Sequence, residues 1–456
     1  MSQYSLSQQY YETLKQIQKN VEAFDDMPLE EARRSFKNLI PTTISDYCIV
    51  DEVKLDEKYV IKSKECLVDK LKVYEDVIDE KWQCLDNNGL YGEWIKVKDM
   101  KDTRRVVLYL FGGGYCMGSP EMSRSLTCKI AETAECPVFV INYRLSPEHQ
   151  FPAQLCDALA AYLYLTNPGP EAGFEPFNPK QIIFSGSSAG GGLAVATALF
   201  LRDADLPLPS GLVLWSAWLD LTNSMPSIWD PEMDKTDYLP GDLGISKFKS
   251  VVTMSNEIHE QAKLLAEKIK QKKPKVVSHP SFTKVPRFRL HCANEALAIP
   301  YVSPMLAESL GNLPPILCQV GGGERLLDSS ILFSFRASDP NKFQVPKYVT
   351  MNFANSRFKK PTEVILEVYD ELFHCFQRMI PDKISEFSIK RSCDFIKNQT
   401  LNKNISDEAD RKSLQGINKT ITAIAISPNC EIRELDERYL ECLNWENIGV
   451  VPEVED

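Results

Sequence analysis

Residues 181–200 read QIIFSGSSAGGGLAVATALF. A short apolar run enters Gly186-Ser187-Ser188-Ala189-Gly190 and leaves as a helix-forming run of alanine, leucine and valine. This succession predicts a buried strand, a turn too tight for side chains at Gly186 and Gly190, and a helix. Ser188 would stand at the apex, pushed out of the sheet, which is the position of a nucleophile. Gln181 to Leu201 also carries no charged residue and is long enough to cross a membrane. Its glycine and serine cluster would leave backbone polar groups uncovered in lipid, so a buried strand and helix is expected there instead.

The rest of the chain supplies a sheet for this unit. Arg105–Leu110, Pro137–Asn142, Ile182–Phe184, Gly211–Ser216, Pro315–Val320 and Glu363–Tyr369 are short apolar runs, most of them separated by helical patterns such as Ser123–Glu135 and Gln154–Leu165. That alternation predicts an α/β fold with a mostly parallel central sheet flanked by helices. Glu93–Val97 alternates and adds a strand at the edge. Residues 1–80 read as a helical cap or lid, because Tyr10, Leu14, Ile17, Val21 and Phe24 recur at helical spacing. The core is expected over 81–398. Within it, about 223–300 is a cap insertion with an amphipathic helix at 246–272, and a polar loop spans 338–360. A last helix is expected at Lys383–Lys397, and 399–456 reads as a polar, acidic, loosely attached extension.

Composition excludes several classes of partner. A net charge of -11 and a pI near 5.2 oppose nucleic-acid binding and anionic membrane surfaces. Thirteen scattered cysteines with no C-x-x-C pair suggest neither zinc nor a disulfide framework, and no cofactor motif is present. With no apolar targeting segment at the N-terminus, a cytoplasmic protein without a transmembrane segment is expected, and the sequons at Asn398, Asn404 and Asn418 are coincidental. Nothing in the sequence specifies an oligomeric state.

A serine hydroxyl needs a base within reach and a carboxylate to orient that base. Of the five histidines, His374 alone follows the last expected strand of the sheet, where a loop faces the site. Glu324 follows the preceding strand, closest to its end, and Asp328 is the alternative acid. The backbone N–H groups of Gly113, Gly114 and Ala189 are the candidate oxyanion donors. GGGYCMGS lacks the lysine of a phosphate loop. Trp215, Trp218 and Tyr238 are candidate binding aromatics, and Cys116 and Cys375 lie close to the site in sequence.

Four stretches in order, FGGGY at Phe111, YRLSPEHQFPA at Tyr143, GSSAGGGLA at Gly186, and GGGERLLD with DELFHCF around His374, resemble the hormone-sensitive-lipase-like branch of the α/β-hydrolases, including its fungal steryl acetyl hydrolases. The resemblance covers roughly 90–398. It implies an α/β-hydrolase fold with a helical cap, hydrolysis of short- to medium-chain acyl esters of a hydrophobic alcohol, and a small-molecule ester substrate. It carries the catalytic roles onto Ser188, Glu324 and His374 and the oxyanion hole onto Gly113, Gly114 and Ala189. Three positions depart from the family pattern. Phe111 stands where a histidine usually opens the glycine loop, so the bond that fixes that loop must come from elsewhere. Ser187 replaces the usual aspartate, and Glu324 replaces the commoner aspartate as the acid. A non-catalytic ligand-binding relative and an acyltransferase using the same serine remain open alternatives.

Overall fold

A computed structural model describes residues 6, 8–24, 27–39, 44–84, 89–101, 104–241, 267, 289–343, 356–401 and 420–450. The strands follow in chain order as β1 (Cys48–Lys54), β2 (Tyr91–Val97), β3 (Val106–Leu110), β4 (Val138–Asn142), β5 (Ile182–Ser187), β6 (Gly211–Trp215), β7 (Ile316–Gly321), β8 (Val364–Tyr369), β9 (Ile421–Ile426) and β10 (Ile432–Glu434). They form one sheet in the order β1-β2-β4-β3-β5-β6-β7-β8-β9-β10. From β4 through β9 every neighbouring pair is parallel, whereas β1, β2 and β10 join antiparallel. Parallel pairs need crossovers, and helices α4 (Arg124–Ala134), α5 (Ala153–Thr166) and α6 (Ala189–Asp203) supply them between β3 and β6. Later crossovers are α7 (Leu327–Ser338) and α8 (Lys383–Thr400). Because helices cover both faces, β3 and β6 are buried along their whole length and read as unbroken apolar runs.

This is the mostly parallel, helix-flanked sheet expected from the sequence, and it is the α/β-hydrolase fold. After β3 the chain moves to one side to form β4 and then returns to the other side to form β5. The loops at the carboxyl ends of β3 and β5 therefore diverge over a crevice, the place where such sheets bind ligands.

The ends of the chain depart from the sequence reading. Residues 1–80 are not purely a helical cap: β1 pairs with β2 along its whole length, and α3 (Glu57–Leu71) packs on α5. The alternation in CIVDEVK is that of a half-exposed edge strand, too short to stand out beside long helical patterns. Among the described residues of 1–80, α1 (Gln8–Phe24) and α2 (Leu29–Leu39) are the elements that reach the site. The extension is likewise not loose over 420–450. Ile421–Ile426 adds to β8 as a parallel strand, and Ile432–Glu434 closes a hairpin on it. The helix expected at 246–272 lies outside the described residues except at 267, as does most of the loop expected at 338–360.

Candidate active site

Ser188 occupies the apex between β5 and α6 with φ 55° and ψ −124°. A non-glycine residue holds such a backbone only where its surroundings force it. Here its N–H donates to the Trp215 carbonyl at 2.9 Å, and its own carbonyl accepts from Trp218 N at 2.8 Å and Gly192 N at 3.1 Å. The turn is thereby tied to the end of β6. Glycine is required at 190 because a Cβ there would lie 2.0 Å from the Leu110 carbonyl oxygen.

The loop after β3 lines the same cavity as Ser188 and carries the candidate donors. Gly113 has φ 129°, and a Cβ on it would sit 2.2 Å from the Met117 carbonyl oxygen, so only glycine can make this turn. Gly113 O accepts from Met117 N at 2.8 Å and Cys116 N at 3.1 Å, which closes the loop on itself. Among the described residues the N–H groups of Gly113, Gly114 and Ala189 have no backbone acceptor, as oxyanion donors must not. The Phe111 question has a structural answer. Tyr143 Oη donates to the Phe111 carbonyl at 2.6 Å, and the two rings stack at 4.1 Å, so YRLSP fixes the loop that a histidine would otherwise fix.

Glu324 is fully buried after β7. Its Oε2 accepts from Ser216 Oγ at 2.6 Å and Gly321 N at 2.9 Å, and its Oε1 stands 3.3 Å from His374 Nδ1. Asp328, the alternative acid, lies in the first turn of α7 and accepts from Ser227 N at 2.8 Å. It reads as structural, with burial raising its carboxyl.

His374 follows β8 and is 3 % exposed. Burial opposes its positive charge, but the Cys375 sulfur and the Glu324 carboxylate outweigh burial and raise it well above an ordinary histidine. Its Nε2 lies 3.5 Å from Cys375 Sγ, and among the described residues Ser188 Oγ makes no hydrogen bond with it. Both side chains nevertheless line one cavity, and catalytic hydrogen bonds are often long before substrate binds. Cys116 lines the same cavity, and burial pushes its thiol up to about 11.

Two residues here carried no sequence signal. Ser216, at φ 49°, bridges Glu324 and the Cys375 N–H, which it accepts at 3.0 Å. Asp237, buried in the 223–300 insertion, accepts from His374 N at 3.1 Å, Tyr238 N at 2.8 Å and Arg325 N at 2.9 Å. It joins the histidine loop to the Glu324 loop. Burial pushes its carboxyl up to about 6. Only a three-dimensional contact between distant loops identifies either residue.

The cavity holds about 140 Å³ and is walled by Val21, Phe24, Phe36, Met117, Trp218 and Tyr238. Of the candidate aromatics, Trp215 does not line it and instead donates to Ser392 Oγ at 2.9 Å. Among the described residues no cluster of three His, Cys, Asp or Glu could hold a metal ion.

Comparison with known proteins agrees with this architecture. A family profile described as the α/β hydrolase fold matches residues 107–277. An acetyl-hydrolase of Streptomyces hygroscopicus is 41% identical over 129 residues, 28% of this chain and 40% of that protein. An esterase of Acinetobacter venetianus is 29% identical over 249 residues, 55% of this chain and 66% of that protein. The chain thus spans less than two thirds of the length of either relative. An esterase from the bacterial hormone-sensitive lipase family superposes with a TM-score of 0.57 at 24% identity, covering 87% of this chain and 100% of that one. An esterase/lipase from an uncultured bacterium gives 0.55 at 23%, covering 85% and 99%. These two structures share the fold.

Proposed function

We propose that this chain is a serine carboxylic-ester hydrolase of the hormone-sensitive-lipase-like branch of the α/β-hydrolases. The observation that carries the reading is the shared cavity: Ser188, His374 and the N–H-bearing Gly113 and Gly114 line one apolar space. The acetyl-hydrolase and esterase relatives support ester hydrolysis.

In this reading Ser188 Oγ attacks the ester carbonyl carbon while His374 Nε2 takes its proton. The carbonyl oxygen becomes an oxyanion held by Gly113, Gly114 and Ala189 N–H groups, each worth about 3 kcal/mol in such sites. Glu324 accepts the hydrogen bond from Nδ1–H, stays ionised and stabilises the imidazolium. Collapse breaks the bond to the alcohol, which leaves with the proton from Nε2. Water then gives a proton to Nε2 and attacks the acyl-enzyme, and the second collapse returns that proton to Ser188 and frees the acid.

The apolar walls accommodate short- to medium-chain acyl groups, acetyl among them, on a hydrophobic alcohol. The free state of all thirteen cysteines supports a reducing, cytoplasmic setting. Among the described residues no helix is long and apolar enough to cross a membrane.

The test is release of p-nitrophenol from p-nitrophenyl acetate and butyrate, together with labelling by a fluorophosphonate. Ser188→Ala should abolish labelling and lower kcat by about 10⁴-fold or more. Turnover equal to the Ser188→Ala background removes the reading.

A further inference from the structure

Arg378 belongs to the helical turn Phe376–Met379 that follows His374, and its side chain lines the same cavity as Ser188. Among the described residues its partners are neutral oxygens alone. Nη1 donates to the neutral hydroxyl of Ser187 at 3.3 Å, Nη2 donates to the Met122 carbonyl at 3.1 Å, and Nε is buried without an acceptor. No carboxylate among the described residues pairs with it. A guanidinium has five N–H donors in a planar fork, so two contacts to neutral oxygens leave most of its capacity unused.

The surroundings make that capacity consequential. The cavity walls are apolar, and a partly desolvated cation binds an anion far more strongly than a cation in water does. The two nearby carboxylates do not compete for it. Glu324 is committed to Ser216, Gly321 and His374, Asp237 is committed to three backbone N–H groups, and neither lines the cavity. Lys129, which lines the adjoining surface hollow with Arg378, is paired with Glu386. The charge of Arg378 does reach the cavity wall, where it partly offsets the rise of the Tyr238 hydroxyl caused by burial.

We propose that the cavity takes esters bearing, besides the ester carbonyl, a free carboxylate that pairs with Arg378 beside the nucleophile. The natural substrate class is then a monoester of a dicarboxylic acid, or an ester of a hydrophobic hydroxy acid. This inference rests on the esterase reading above and sharpens its substrate. Arg378 acts as a specificity determinant: the apolar wall holds the body of the substrate, and the guanidinium selects the end that carries charge.

The experiment compares kcat/KM for mono-p-nitrophenyl glutarate, adipate and pimelate with the neutral pentanoate, hexanoate and heptanoate esters, which carry a terminal methyl in place of the carboxylate. In the wild type the best diacid monoester is expected to equal or exceed its neutral partner. That ratio should fall as sodium chloride is raised, because the pairing is electrostatic. Arg378→Gln should lower the ratio at least tenfold, and Arg378→Lys should retain most of it. A wild-type ratio well below one for all three pairs and insensitive to salt overturns the proposal, even if Arg378→Gln does not fold. Loss of turnover on the neutral esters as well would instead count against the esterase reading, so the two failures are distinguishable.

Discussion

Ser216 Oγ donates to Glu324 Oε2 at 2.6 Å and at the same time accepts the Cys375 N–H at 3.0 Å, so one hydroxyl at the end of β6 holds both the acid and the histidine loop. A fully buried carboxylate that loses a donor is left undersolvated, which costs about 1 to 3 kcal/mol, and the Cys375 N–H loses its acceptor as well. Ser216→Ala should therefore lower the stability measured in urea by roughly that amount. It should lower kcat on p-nitrophenyl butyrate about tenfold with KM unchanged, because a loosened Glu324 no longer fixes the imidazole. An unchanged kcat would show that Gly321 N alone holds the acid.

In the proposed mechanism the neutral imidazole is the base, and His374 is raised above the usual histidine range. Hydrolysis should consequently be weak at about pH 6.5, the ordinary histidine value, and climb as pH rises through the raised one. Stability moves the other way. A raised histidine contributes stability that is fully present below about pH 6.5 and is lost as pH passes the folded-state value, so Tm should fall across the range in which activity grows. Asp237, with its carboxyl pushed up to about 6, binds its proton more tightly folded than unfolded, so its destabilising effect is complete by the time His374 titrates. Cys375 has φ 54° and sits 3.5 Å from Nε2. Cys375→Gly should shift the activity rise to lower pH, because it removes the sulfur beside Nε2. A pH–rate profile of both proteins decides this, and an unmoved limb would remove Cys375 from the account.

The central sheet was legible because β3 to β8 are buried on both faces and so leave continuous apolar runs in the chain. Its margins were not. β1 has the alternating burial of an edge strand, and β9 is six residues of ITAIAI whose partner, β8, ends 52 positions earlier. Ser188, Glu324 and His374 could be nominated because each follows a strand of that sheet. Ser216, Asp237 and Arg378 had no comparable mark: they act through contacts between the β6 end, the insertion and the turn after His374, which sequence order does not bring together.

The loop after β3 depends on Tyr143. Its hydroxyl donates to the Phe111 carbonyl at 2.6 Å inside a fully buried pair of rings. Tyr143→Phe keeps the stack and removes only that bond. The expected result is a kcat lowered about fivefold on p-nitrophenyl acetate, KM nearly constant, and a stability loss of about 1 kcal/mol. An equal loss of binding for substrate and for a boronic-acid transition-state analogue would mean that the bond serves the fold alone.

The walls contributed by α1 and α2 should control acyl length. Phe24 and Phe36 meet edge to face at 6.2 Å and line the cavity from these two helices. Arg33 on α2 fastens them to the core: it pairs with Glu148 at 2.8 Å and donates to the carbonyls of Cys116 and Ser146. An acetyl group is too short to fill the apolar space that these rings enclose, whereas a hexanoyl chain gains about 0.8 kcal/mol per methylene buried there. Phe24→Ala and Phe36→Ala should each raise KM for p-nitrophenyl hexanoate several-fold and leave KM for the acetate within about twofold. Arg33→Ala should give the same pattern more weakly, since its ion pair is partly exposed and contributes little beyond holding the helix in place. Equal effects on both esters would mean that the helices support the fold without touching the acyl chain, and the length dependence would then belong to Trp218 and Met117 on the core side of the cavity.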